Sequence, residues 1–335
     1  MDSLSQLALG ASVGVAVMGR RTAPWKAALW GAACGTLPDL DAFIDHGDPV
    51  RNMVLHRADS HSLLYLSLLA PLLGGLAARL HGETDRWRRW VLALWLALVT
   101  HPLLDLMTVY GTQLLRPFTD HPYGVGSIFI IDPLYTLPLL VGLGVALRSH
   151  GARGLRWNAA GLAFSTLYLA WGFGAQQQVE AVARASLEAE GAQVQRLLVT
   201  PTAFNTVLWR VVAITPDGFL EGFHSLLDEA PRIAFERFPR GEALHEQWRD
   251  LPAVARLARF SHGFFKMDVE DGQLRIADLR MGQEPFYVFT FVVAREREGR
   301  MAPLPPEQLS LRPDFSRGLP WMWRRLLGEP VPTPR

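Results

Sequence analysis

Four apolar runs, residues 62–80, 90–109, 128–147 and 157–174, constrain this chain more than any other feature. Each approaches the ~20 residues that a helix needs to cross a hydrocarbon core of ~30 Å. Two shorter runs, 4–18 and 27–37, precede them. Arg20, Arg21 and Lys26 lie between the short pair. A re-entrant hairpin would leave those cations near the midplane at ~2.5 kcal/mol or more each, so two short spans are expected. The short runs also carry Gly10 with Gly14 and Gly31 with Gly35. That small-xxx-small spacing predicts close approach of two helix backbones.

Charge divides the chain at the end of these runs. Residues 1–175 hold 24 charged side chains, and the remaining 160 residues hold 41. The second density is that of an ordinary soluble domain and the first is far below it. The expected architecture is therefore a membrane α-helical bundle of about six spans, the first two short, followed by a small soluble α+β domain. A net charge of +1 excludes a nucleic-acid binder driven by bulk charge. The single cysteine, Cys34, excludes a disulfide framework and a Cys-rich metal site. Asp2 and the absence of a basic segment before Leu4 argue against a cleavable signal peptide.

Loop charges predict an orientation for six spans. Ten of the 13 basic residues before position 176 fall in loops 19–27, 79–89 and 148–156, all on one side. The positive-inside rule makes that side cytoplasmic. Both termini and the C-terminal half are then expected on the periplasmic or extracellular side.

Ionisable residues within or beside spans are costly and point to function. Asp39 and Asp41 follow Pro38 at the end of the second run, and His56 and His61 precede the third. His101 and Asp105, four apart, share one helical face of the fourth. Asp132, before Pro133, opens the fifth and is also a ready helix cap. With six spans all seven side chains fall near the outer face, and such convergence predicts one shared site. Imidazoles and carboxylates without thiolates suit Zn²⁺, with Mn²⁺ and Fe²⁺ as alternatives. Six residues are candidate ligands: Asp39, Asp41, His56, His61, His101 and Asp105. Asp132 is expected to support the ligands without touching the metal.

Four stretches, MDSLSQLALG at 1–10, GTLPDLD at 35–41, HRADSHS at 56–62 and HPLLD at 101–105, resemble the YdjM-like family as an ordered set. The resemblance covers roughly residues 1–175. It implies a bacterial inner-membrane protein of a group described as membrane-bound metal-dependent hydrolases. The family's polar positions correspond to the six candidate ligands, and some members carry His where this chain has Gln6. The His101–Asp105 spacing is also similar to part of the bacterial zinc-dependent phospholipase C pattern, which favours a phosphoester.

Residues 176–199 are expected to extend the sixth span as a polar helical connector. Residues 200–300 alternate as strands, at 207–214, 219–226, 264–269, 273–280 and 286–294, around a helical stretch at 242–259. Turns are marked by Pro216-Asp217-Gly218 and Asp271-Gly272. Residues 301–335 hold eight prolines and are expected to form an irregular tail.

The function this predicts is a membrane-embedded metal-dependent hydrolase. Its expected substrate is a phosphoester or lipid-type molecule at the outer membrane–water interface, and its expected partners are membrane lipid and an amphiphilic substrate, not nucleic acid. Two alternatives belong to other classes: a non-catalytic membrane protein with a structural or transport-related metal site, and an interaction scaffold.

Overall fold

Helices in chain order are α1 (Ser3–Met18), α2 (Pro24–Thr36), α3 (Pro49–Leu55), α4 (Leu63–Leu80), α5 (Trp87–Leu106), α6 (Pro133–Arg148) and α7 (Ala152–Ala189). The computed structural model describes residues 1–149, 151–310 and 314–334. They divide into two units. The first comprises Met1–Ile44, His56–Phe173 and Ala203–Asn205; the second comprises Asp45–Leu55, Gly174–Thr202 and the described residues from Thr206 onward.

In the first unit, local chemistry sets the helix starts. The Asp2 carboxylate accepts from the Leu4 and Ser5 amides and caps α1. Ser62 caps α4 through the Tyr65 amide, and Asp132 caps α6 with Pro133 in the first turn. The glycines of α1 and α2 meet as their spacing predicts. A Cβ on Gly10 would lie 2.3 Å from the Gly31 carbonyl oxygen, so no side chain fits between the two backbones. The α4–α5 pair is equally close at Gly74, where a Cβ would lie 2.5 Å from Val91 Cα. Trp90, Leu94 and Leu98 of α5 pack on Ala70 and Ala77 of α4 and on Val15 and Met18 of α1.

The expected six-span bundle does not form. Among the described residues only α4, and α5 with its leading turn from Thr84, are long and apolar enough to cross a membrane. The apolar α1 and α6 have 16 residues each, or ~24 Å at 1.5 Å per residue, short of a ~30 Å core. Residues 128–132 are not helical and add nothing to α6. The 38-residue α7 is long enough but falls below the apolarity of a span. Its buried Asn158 and Ser165 bond to the backbone carbonyls of Ser12 and Tyr135, which ties that face to α1 and α6. The orientation counted over six spans lapses with them.

The second unit contains β1 (Arg196–Pro201), β2 (Leu208–Thr215), β3 (Gly218–Ser225), β4 (Phe235–Phe238), α8 (Glu242–Trp248), α9 (Pro252–Phe260), β5 (Phe265–Glu270), β6 (Gln273–Asp278), β7 (Gly282–Gln283), β8 (Phe286–Tyr287), β9 (Thr290–Arg297), β10 (Arg300–Leu309) and α10 (Phe315–Leu326). One antiparallel sheet has the order β1-β2-β3-β4 and a second the order β10-β9-β6-β5; β7 and β8 form a short pair. Val212, Ile214 and Phe219 of the first sheet pack with Ala277 of the second and with Leu279 and Tyr287. Val179 and Ala183 of α7 cover Trp209 and Val211 of β2, with Leu187 continuing the stripe over Ala213.

The helix expected to reach residue 199 ends at Ala189. Gly191, with φ +66°, lets its own amide and that of Ala192 return to the carbonyls of Glu188 and Leu187. The residues freed become β1. The helical stretch at 242–259 breaks before Pro252, which lacks the amide that a continuous helix needs. The proline-rich segment contributes β10 and α10. Its prolines at 303, 305 and 306 fit because β10 is an edge strand, with a register shift between Pro303 and Glu307.

Candidate metal centre

The α4–α5 hairpin brings its two open ends together. His61 closes a 3-10 turn, Asp59–His61, directly before α4. His101 and Asp105 occupy the last turns of α5. Asp39 comes from a second 3-10 turn, Pro38–Phe43, which follows α2. Asp39, His61, His101 and Asp105 each turn one ligand atom into a common space, all within 4.8 Å of one another.

Five of the six separations are close to those of a coordination shell. His61 Nε2 lies 3.0 Å from His101 Nε2, 3.2 Å from Asp105 Oδ2 and 3.5 Å from Asp39 Oδ1. His101 Nε2 lies 3.4 Å from each of the same two carboxylate oxygens. Ligand atoms held ~2.0–2.1 Å from a tetrahedral ion stand ~3.3 Å apart.

Proton positions follow from the far side of each ring. His101 Nδ1 is 2.7 Å from the Gly35 carbonyl oxygen, which can only accept. Nδ1 therefore carries the proton, and in the neutral ring Nε2 offers a lone pair. His61 Nδ1 is 2.8 Å from Ser60 Oγ, whose own hydroxyl proton is given to Asp41 Oδ2. His61 is thereby set in the same tautomer. Asp105 Oδ2 is buried without a hydrogen-bond donor. Two imidazole lone pairs and two carboxylates then converge on one point with no proton among them, which is the donor set of a divalent ion. His61, His101 and Asp105 are buried, and the Asp39 side chain alone among the four retains some exposure, 18%.

Other residues named from the sequence take other places. A 3-10 helix turns ~120° per residue, so Asp39 and Asp41, two apart, point in different directions. Asp41 accepts from the Arg57 amide at 2.9 Å and from Ser60, and its Oδ1 lies 2.7 Å from His56 Nδ1. With both oxygens engaged, it stands behind His61 and fixes that ring through Ser60. His56 in turn braces Asp41. Asp132 accepts from the Leu134 amide and, at 2.9 Å, from the Tyr168 hydroxyl. It caps α6 and stands outside the group of four converging residues.

Ser60, Arg57 and Gln6 are the participants that sequence reasoning missed. The Arg57 guanidinium, buried, lies 3.3 Å from Asp105 Oδ1, donates to Thr108 Oγ1 and covers the Tyr110 ring. Its backbone is left-handed, φ +65°, a conformation costly for a residue with a Cβ. Gln6 of α1 donates to the His101 carbonyl and to Asp105 Oδ1, 3.1 Å each. The Met1 amino group also pairs with Asp105 Oδ1. These donors occupy Oδ1 and leave Oδ2 for the centre. No pattern in the sequence marks Arg57 as buried; the signal was its place between His56 and His61.

The model of the YdjM inner membrane protein family matches residues 1–179, more than half of the chain and all of the converging side chains. The chain belongs to that family. It is also 23% identical over 270 residues to the uncharacterized protein YfhP of Bacillus subtilis (strain 168), an alignment covering 76% of this chain and 77% of the relative. No solved structure matches it.

Proposed function

We propose that Asp39, His61, His101 and Asp105 hold a divalent metal and that the protein is a membrane-anchored metal-dependent hydrolase acting on a phosphoester. The observation that carries this reading is the pair of imidazole lone pairs, 3.0 Å apart, facing two carboxylate oxygens in a buried space. Two nitrogens, two oxygens and no thiolate suit Zn²⁺, while Mn²⁺ and Fe²⁺ share enough of that chemistry to be tested beside it. A bound ion would supply the Lewis acidity that polarises a phosphoryl oxygen. The chain's own residues do the rest. Gly35 and Ser60 set the two rings, Arg57 and Gln6 turn Asp105, and the partly exposed Asp39 marks the side from which a substrate arrives.

Arg79, Arg86, Arg88 and Arg89 crowd the turn that closes the α4–α5 hairpin. The positive-inside rule puts that turn in the cytoplasm and the ligand end at the outer face. Inner-membrane residence agrees with the description of the family.

The test is metal content together with catalysis. Purified protein should carry Zn²⁺, Mn²⁺ or Fe²⁺ by mass spectrometry and cleave bis(p-nitrophenyl) phosphate. Chelation should stop cleavage and the same metal should restore it. Cleavage that persists in chelated protein would sink the catalytic-metal reading, whereas metal retained without cleavage of any ester would favour a structural site.

A further inference from the structure

The ligand end of the hairpin is edged by large apolar side chains that the protein leaves uncovered. The turn carrying Asp39 also carries Leu40 and Phe43, with Ile44 next to it, and Phe43 is 86% exposed. A second segment carries Leu115 and Phe118, the latter 81% exposed. Neither segment is loosely held. The Leu63 amide donates to the Leu114 carbonyl, Ser62 Oγ donates to the Arg116 carbonyl, and the Phe118 amide closes a turn on Leu115. The first segment is tied in through Asp41, which accepts from the Arg57 amide and from Ser60, so both are fastened to the residues that position the cluster. Holding phenyl rings in water on an ordered frame is unfavourable, and uncovered apolar clusters of this kind mark contact surfaces.

What covers them follows from α4. Leu64, Leu68, Leu72 and Leu76 repeat every four residues on one exposed face. That face is uncovered among the described residues and fits lipid. The 18 residues of α4 give ~27 Å of helix, close to the ~30 Å hydrocarbon core. Its first residue therefore stands at the boundary of that core. Residues 40–44 and 115–118, fastened around that first turn, continue the lipid-facing stripe into the interfacial layer.

We infer that Leu40, Phe43, Ile44, Leu115 and Phe118 form an apolar rim immersed in the bilayer interface around Asp39, so that the centre takes its ligand from the membrane as an amphiphile. The immersion stands on the exposed side chains and α4 alone; what happens to the amphiphile rests on the hydrolase reading. A head group approaching Asp39 would keep its acyl chains among these side chains. A water-soluble ester would have nothing to rest on them.

Nitroxide labels test this in the full chain. Phe43→Cys and Phe118→Cys are placed in a Cys34→Ala background and reconstituted in nanodiscs of phosphatidylethanolamine and phosphatidylglycerol. Leu68→Cys is the lipid reference and Asp217→Cys, in the β2–β3 turn, the aqueous one. Power saturation should show oxygen favoured over a nickel chelate at 43 and 118, as at 68, and the reverse at 217. Labels at 43 and 118 as open to nickel as that at 217 would overturn the rim. A second measurement separates the two readings. The Phe43→Ser/Phe118→Ser protein should keep its metal and its cleavage of bis(p-nitrophenyl) phosphate while losing cleavage of long-chain phosphodiesters. Immersed labels in a protein that cleaves no ester would leave the rim standing and remove the hydrolase. Cleavage with water-exposed labels would do the opposite.

Discussion

His61 and His101 face each other through their Nε2 atoms at 3.0 Å, and each ring is held from behind by an oxygen that accepts its other proton. Without a cation, two lone pairs at this distance repel.

Replacing His101 with Ala removes one lone pair and the bond to Gly35. Metal content should fall to background, with affinity reduced beyond the ~10–100-fold that losing an outer hydrogen-bond partner costs. Membrane insertion should survive, since it depends on the apolar length of α4 and α5. Mass spectrometry of membrane-extracted protein reads the first outcome and carbonate extraction the second.

Ser60 and Asp132 should separate cleanly. Ser60→Ala breaks the link from Asp41 to His61 and should weaken metal binding ~10–100-fold, seen by competition with a chromogenic chelator. Asp132→Ala removes a helix cap, lowering stability by ~1–2 kcal/mol without a change in metal affinity. A loss of metal affinity in Asp132→Ala would show that this residue supports the centre after all.

Gly31→Ala should loosen the α1–α2 pair, because its Cβ would lie 2.2 Å from the Gly10 carbonyl oxygen. Overpacking of this kind costs ~1–3 kcal/mol. Gly75→Ala is the control: nothing lies within 4 Å of its Cβ, and the gain in helix propensity, ~1 kcal/mol, should leave the protein unharmed or steadier. Thermal unfolding in one detergent compares the two.

The second unit carries its own pH sensitivity. His224 Nδ1 lies 2.9 Å from Asp228 Oδ2, and Asp228 is also gripped by Arg325 of α10. Burial pushes the His224 imidazole below its ordinary value; Asp228 opposes the change and Arg325 adds to it. As pH falls, the unfolded chain takes the proton first. The stability linked to His224 is therefore whole above ~6.5, the unfolded value, and is lost as pH falls through the lower folded value. His224→Gln should flatten the decline in the urea midpoint between about pH 7.5 and about pH 5.5. An unchanged slope would put the sensitivity elsewhere.

Orientation is open to a labelling test. A cysteine at position 85, in the arginine-rich turn, should react with an impermeant maleimide only after the cells are opened. A cysteine at the exposed Asp59 should react in intact cells. The reverse pattern would turn the hairpin over and put the centre on the cytoplasmic side.

Much of the second unit was legible, because strands such as Leu208–Thr215 and Gly218–Ser225 combine β-branched or aromatic residues with turn residues between them. The number of membrane crossings was not. Apolar composition reports that a segment avoids water, but α1 avoids it by packing on α2 and α5. Lipid and protein interior look alike to a hydropathy count. The grouping of His61 with His101 and Asp105 could be anticipated, since imidazoles and carboxylates next to apolar runs need partners. The division between Asp39 and Asp41 could not. It depends on the pitch of a single 3-10 turn. Arg57 was hidden for a related reason: a basic residue in a loop reads as solvated until the fold closes over it.

The position of the ligands along the hairpin also orders events in time. His61 precedes α4 and Asp105 all but ends α5, so the 43 intervening residues must fold back as a helical hairpin before the two can meet. A nascent chain halted after α4 has no centre to fill. On the reading proposed above, a metal could be taken up only once α5 has packed against α4, so a chain stopped between the two helices would hold no ion.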